Sequence, residues 1–158
     1  MSSPMFALQS LQDELREDWS VLVRLSGKAQ SVDPVAGEAE AALVCLSICR
    51  AYTAFEALLQ RIESHLGRGS RQGHDWHQQL LAAAAKPVPG LRDALYPPEA
   101  ERDWHELRRF RHFVQHSYGV VDIDSQKVIA VRLHLADAIE KTQDWILEYV
   151  EALSPSTS

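Results

Sequence analysis

Between Ala41 and Leu59 the chain is apolar on nearly every side of a helix, through Leu43, Val44, Leu46, Ile48, Tyr52, Phe55, Leu58 and Leu59. A helix without a polar face belongs at the buried centre of a bundle. The rest of the chain must then supply helices with one apolar stripe each to cover it. From residue 4 to about 29, Leu8, Leu11, Leu15, Trp19, Leu22 and Leu25 recur at steps of three and four, with charges opposite. From about 125 to 153, Val128, Val131, Leu135, Ala138, Ile139, Ile146, Tyr149 and Leu153 form a second, broader stripe. No stretch alternates with the period of a strand. The fold class expected is all-α: an antiparallel bundle of four to five main helices.

Punctuation sets the expected boundaries. Pro4 suits the first turn of the first helix. Asp33 and Pro34 read as N-cap and first position of the central helix, running to about residue 66. Gly67 to Gly73 reads as a flexible loop, and a short helix from about 75 to 86 follows, ended by Pro87-Val88-Pro89-Gly90. Leu91 to Tyr96 has room for one helical turn. Pro97-Pro98-Glu99 opens the next long helix, and Gly119 is placed to end it. Asp124 reads as the N-cap of the last helix. At 158 residues the chain is expected to be one domain over 1–153 with a polar tail over 154–158.

Charge and cysteine content narrow the function classes. The formal net charge is −6, which does not suit a surface that binds nucleic acid by charge alone. Any nucleic-acid contact must be local, and the cation-rich stretch is Arg102 to His116. Cys45 and Cys49 lie one helical turn apart in an apolar run, without a partner pair at zinc spacing, and read as small core residues. His74 and His77 flank Trp76 and read as surface positions at a loop and helix start. No metal and no cofactor are expected. The N-terminus lacks a basic and then apolar leader, and no run reads as a bilayer span, so the expected location is the cytoplasm, with no membrane contact.

The chemistry available is concentrated in Arg108-Arg109-Phe110-Arg111-His112-Phe113-Val114-Gln115-His116-Ser117-Tyr118. Helix geometry of about 100° per residue puts Leu107, Phe110 and Val114 toward the core and His105, Arg109, His112 and His116 opposite. Arg111 sits at the edge of the apolar face, roughly 140° from His116. One straight helix would not aim both at one phosphate: either the helix loosens before His116, or two copies stand face to face, the second option giving a symmetric dimer with a composite cleft. Arginine matches phosphate oxygens, and histidine exchanges protons near neutrality. That pair is sufficient to drive attack of an RNA 2′-hydroxyl on its neighbouring phosphorus without a metal. Cations late in a helix also suit its C-terminal dipole, which accounts for part of the basic enrichment. Glu56, inside the apolar run, needs a partner. It is expected to face a groove or to pair with Arg50 or Arg61, the functional alternative being that it orients Arg111 or His116.

Arg111, His116 and Tyr118 resemble the Arg-x4-His-x-Tyr signature of HepT-type toxins in the HEPN superfamily. His112 fits the position after the arginine in the broader superfamily motif. Tyr52 and Glu56 in the central helix, and the Trp76-His77 pair, resemble the same branch. The resemblance spans residues 4 to 153 and implies a HEPN-type bundle working as a homodimer. It implies a metal-independent endoribonuclease acting on RNA such as tRNA or mRNA, with Arg111 and His116 as the catalytic pair. Arg108, Arg109, His112 and Glu56 are then supporting or RNA-contacting positions. It further implies a toxin–antitoxin pair of type VII kind, in which an MNT-type nucleotidyltransferase antitoxin transfers AMP to Tyr118 and silences the toxin. The chain departs from the pattern in its acidic charge and its Pro- and Gly-punctuated stretch from about 67 to 98. Two other readings remain: a non-catalytic HEPN module that binds a nucleotidyltransferase or another partner, and a metal site on the His105, His112, His116 face.

Overall fold

The computed structural model describes residues 3–117 and 124–153. Among them are five helices: α1 (Pro4–Ser31), α2 (Glu38–His65), α3 (Trp76–Ala84), α4 (Pro98–Ser117) and α5 (Ser125–Ala152). The fold is an all-α bundle. α2 touches each of the other four helices, as its all-round apolarity requires. By length and composition alone α2 would also cross a bilayer, contrary to the expectation that no run could. In this fold its apolar surface is covered by helices instead.

Periodicity identified the core stripes. Leu15, Trp19 and Leu22 of α1 are buried against α2 and α5, and Leu107 and Phe110 of α4 face inward. Trp104 lies flat against Phe55, ring centroids 3.6 Å apart, and its indole N–H donates to the buried Thr142 hydroxyl at 2.9 Å. That bond satisfies two polar groups inside an apolar layer. Leu46 departs from the expectation: it is 53% exposed, so α2 keeps one narrow outward face.

The start of the central helix moved. α2 begins at Glu38 rather than at Pro34. The Asp33 carboxylate accepts from the Val35 amide at 3.0 Å, and the Asp33 carbonyl from the Ala36 amide at 3.2 Å. Asp33 therefore builds a turn ahead of the helix rather than capping it. At α5 the cap is where the sequence put it, the Asp124 carboxylate accepting from the Gln126 amide at 2.9 Å. Asp124→Ala is expected to cost about 1 kcal/mol, a fall in Tm of about 2–4 °C for a domain of this size. Thermal unfolding of the two proteins checks this, and an unchanged Tm contradicts it.

The stretch from 67 to 98 is anchored rather than loose. Glu63, 1% exposed near the end of α2, accepts from Arg68 at 3.2 Å, Arg71 at 3.0 Å and Arg92 at 2.8 Å. The fully buried Arg92 side chain also donates to the carbonyls of Ala83, Lys86 and Asp93. Leu91 to Tyr96 contains no helical turn. Val88 and Arg92 exchange backbone hydrogen bonds around Gly90, whose φ of +79° suits glycine. Tyr96 is buried and donates to the Leu81 carbonyl at 2.6 Å. These ties hold α3 against α2 and α4.

Candidate active site

Arg111 projects from α4 into the bundle and is 6% exposed. Its Nη1 donates to Thr53 Oγ1 at 3.1 Å, and its Nη2 to Glu56 Oε2 at 3.0 Å and Oε1 at 3.2 Å. The guanidinium carbon stands 4.5 Å from the centre of the Tyr52 ring. Arg111, Thr53, Glu56 and Tyr52 meet because residues 52, 53 and 56 share one side of α2 at helical spacing. Burial, and then the Glu56 charge, push the Tyr52 phenol up, so it stays a neutral face for the arginine.

Glu56 therefore pairs with neither Arg50 nor Arg61. Arg50 is exposed, and Arg61 is bound to Asp18 at 2.8 Å and Glu14 at 3.3 Å on the α1 side. The alternative in which Glu56 orients Arg111 is the one the fold adopts. His77 sits at the start of α3 and is half-exposed, as expected, but it also has partners that its sequence position does not show. Its Nδ1 lies 2.7 Å from Glu56 Oε2 and 3.1 Å from Arg111 Nη2. Trp76 packs on its ring at 3.5 Å between centroids. Glu56 thus stands between a buried cation and a half-exposed imidazole.

The other motif residues lie outside this cluster. His116 is exposed near the end of α4, its ring 4.1 Å from that of His112. His116 Nδ1 is 2.8 Å from the His112 carbonyl. A carbonyl only accepts, so Nδ1 carries the proton and Nε2 is the nitrogen left for chemistry. Arg109 points outward to Glu106 at 2.7 Å. Arg108 is half-buried, and its Nε has no hydrogen-bond partner among the described residues. Tyr118 and Gly119 lie outside the described residues. Arg111 and His116 thus occupy different sides of α4, as the helical angle requires.

Among the described residues no group of three or more His, Cys, Asp or Glu side chains is arranged to hold a metal ion. His105 lies beside Glu101 at 3.9 Å, with its pKa lowered by burial and then by Arg108. Cys45 is buried and Cys49 half-buried, both as free thiols. The hydrogen bond to Cys45, and burial after it, hold the Cys49 thiol protonated.

Residues 43–153 match the family described as HepT-like protein. The chain belongs to the HepT-like family. The match takes in most of α2 and all of α3, α4 and α5, hence Glu56, His77, Arg111 and His116; α1 lies before it. No curated protein and no solved structure matches the chain. The bundle is accordingly of HEPN type, and the family points to a toxin-type ribonuclease or a related module.

Proposed function

We propose that this HepT-like chain is a metal-independent endoribonuclease, the toxin of a cytoplasmic toxin–antitoxin pair, with Arg111 and His116 as its catalytic pair. The observation that carries this is Arg111 itself. An arginine held inside the bundle by a buried carboxylate is costly to keep, and packing alone would favour an apolar side chain there. Its place within the Arg-x4-His spacing fits a functional demand on that cation. Within the chain Glu56 balances Arg111. An RNA phosphate reaching the guanidinium exchanges one anion for another, while Glu56 keeps His77. His116 Nε2 takes the proton of the 2′-hydroxyl. Because His116 is on another side of α4, it acts on the phosphate held by Arg111 of a second copy, in a homodimer.

Tyr118 follows directly on Ser117, the last residue of α4. Transfer of AMP to its phenol by an MNT-type nucleotidyltransferase adds a negative phosphate close in sequence to the catalytic pair and competes with RNA for cations. The test is intact mass of protein made with and without a candidate antitoxin and ATP, with RNA cleavage assayed on both. A gain of whole AMP units on Tyr118 together with lost cleavage is expected. A second reading, a non-catalytic module that docks such a partner, is favoured by the occupation of the Arg111 donors within its own chain. Complex formation with neither mass gain nor cleavage supports it and contradicts the toxin.

A further inference from the structure

We propose that His77 is a second catalytic residue of the same reaction, the acid that protonates the departing 5′-oxygen of the cleaved RNA; this rests on the ribonuclease reading. The juxtaposition that assigns it is a carboxylate shared by an arginine and a histidine. Glu56 Oε2 lies 2.7 Å from His77 Nδ1 and 3.0 Å from Arg111 Nη2. An ionised carboxylate only accepts, so His77 donates through Nδ1 and its tautomer is set. The proton it can exchange is therefore the one on Nε2. Losing that proton leaves a neutral imidazole still bound to Glu56.

Exposure makes this nitrogen usable. The Glu56 side chain is 8% exposed and that of His77 36%. The pair thus reaches from the interior to the surface. The Trp76 ring limits rotation of the imidazole, and α3 is pinned below it by buried Leu80, Leu81 and Ala84. Arg111 Nη2 is 3.1 Å from His77 Nδ1, so a phosphate engaged by Arg111 is carried to the side of His77. A similar contact joins His134 Nδ1 to Asp103 at 2.7 Å, but there Lys141 shares the carboxylate at 2.9 Å. That pair ties α4 to α5 and lies outside the Arg111 cluster.

The step balances without a co-reactant. His116 Nε2 accepts the 2′-hydroxyl proton, the O2′–P bond forms, and the P–O5′ bond breaks. His77 Nε2–H gives its proton to O5′, leaving a 2′,3′-cyclic phosphate and a 5′-hydroxyl. Solvent then restores both histidines.

Sulfur in place of the bridging 5′-oxygen supplies the test, because a thiolate leaves without a proton. Full-length protein, made alone and with Tyr118 unmodified by mass, is assayed on two RNA oligonucleotides that differ only in that atom. His77→Gln keeps a donor toward Glu56 but cannot transfer a proton. It is expected to lose about 10²–10⁴-fold on the oxygen substrate and to stay within a few-fold of wild type on the sulfur one. His116→Ala, lacking the base, loses both. Equal losses on both substrates for His77→Gln, or none on either, overturn the assignment while leaving the ribonuclease standing. Wild type that cleaves neither substrate ends the ribonuclease reading and this inference with it.

Discussion

Glu63→Ala is expected to lower the unfolding free energy by about 3–5 kcal/mol, because it strands a charge inside the protein. The Arg92 side chain is fully buried, and Glu63 is its only charged partner among the described residues. Three backbone carbonyls would still accept from the guanidinium, but none carries a countercharge. Arg68, 39% exposed, loses less because water replaces much of the interaction, and Arg71, 13% exposed, keeps its bond to the Arg68 carbonyl. Urea denaturation reads the change. A loss below about 1 kcal/mol, as for a surface pair, contradicts the account.

The same cluster sets a pH dependence. Burial pushes the Glu63 carboxyl up, but hydrogen bonds from Arg71, Arg92 and Arg68 and the charge of Arg92 outweigh it and hold the group below its ordinary 4.5. A folded value below the unfolded one contributes stability that is present above about pH 4.5 and is lost as pH falls through the folded value. The stability gap between wild type and Glu63→Gln therefore narrows on acidification below about 4.5. A gap that stays constant through that range assigns the stabilisation to something other than this carboxylate.

The largest effects on activity are expected at the catalytic pair. His116 is exposed, so His116→Ala should change stability by no more than about 0.5 kcal/mol while removing about 10²–10⁴-fold of cleavage with the proton transfer. Arg111 needs a gentler substitution, because alanine would leave Glu56 buried beside His77 without its cation. Arg111→Lys keeps a positive charge there but loses the planar fork. It is expected to fold and to lose on the order of 10²–10³-fold in cleavage. Circular dichroism and a cleavage time course separate the two effects. Full activity in either variant contradicts the assignment of that residue.

The helices were legible because a helix exposes one face, and a face repeats in sequence. Leu15, Trp19 and Leu22, or Leu107 and Phe110, declare burial by spacing alone. Charge pairing has no such period. Glu56 meets Arg111 across 55 residues, and Glu63 meets Arg92 across 29. For Glu56 the arginines closer in sequence, Arg50 and Arg61, are the expected partners. The pairing of His77 is equally silent in sequence, since its partner lies 21 residues upstream on a different helix. The sequence signals for this site are Tyr52-x-x-x-Glu56 and Trp76-His77, the pairs that resemble the family. Asp33 shows a different limit. Its carboxylate does accept from a backbone amide two residues on, but in a turn that precedes the helix it was expected to cap.

The decisive experiment is cleavage of RNA by the unmodified chain in the presence of a metal chelator. Products ending in 2′,3′-cyclic phosphate are expected, formed as fast with chelator as without, with no cut where a single deoxynucleotide replaces the residue bearing the attacking 2′-hydroxyl. Cleavage that stops on chelation, or that proceeds through the deoxy position, would contradict metal-independent attack by the 2′-hydroxyl.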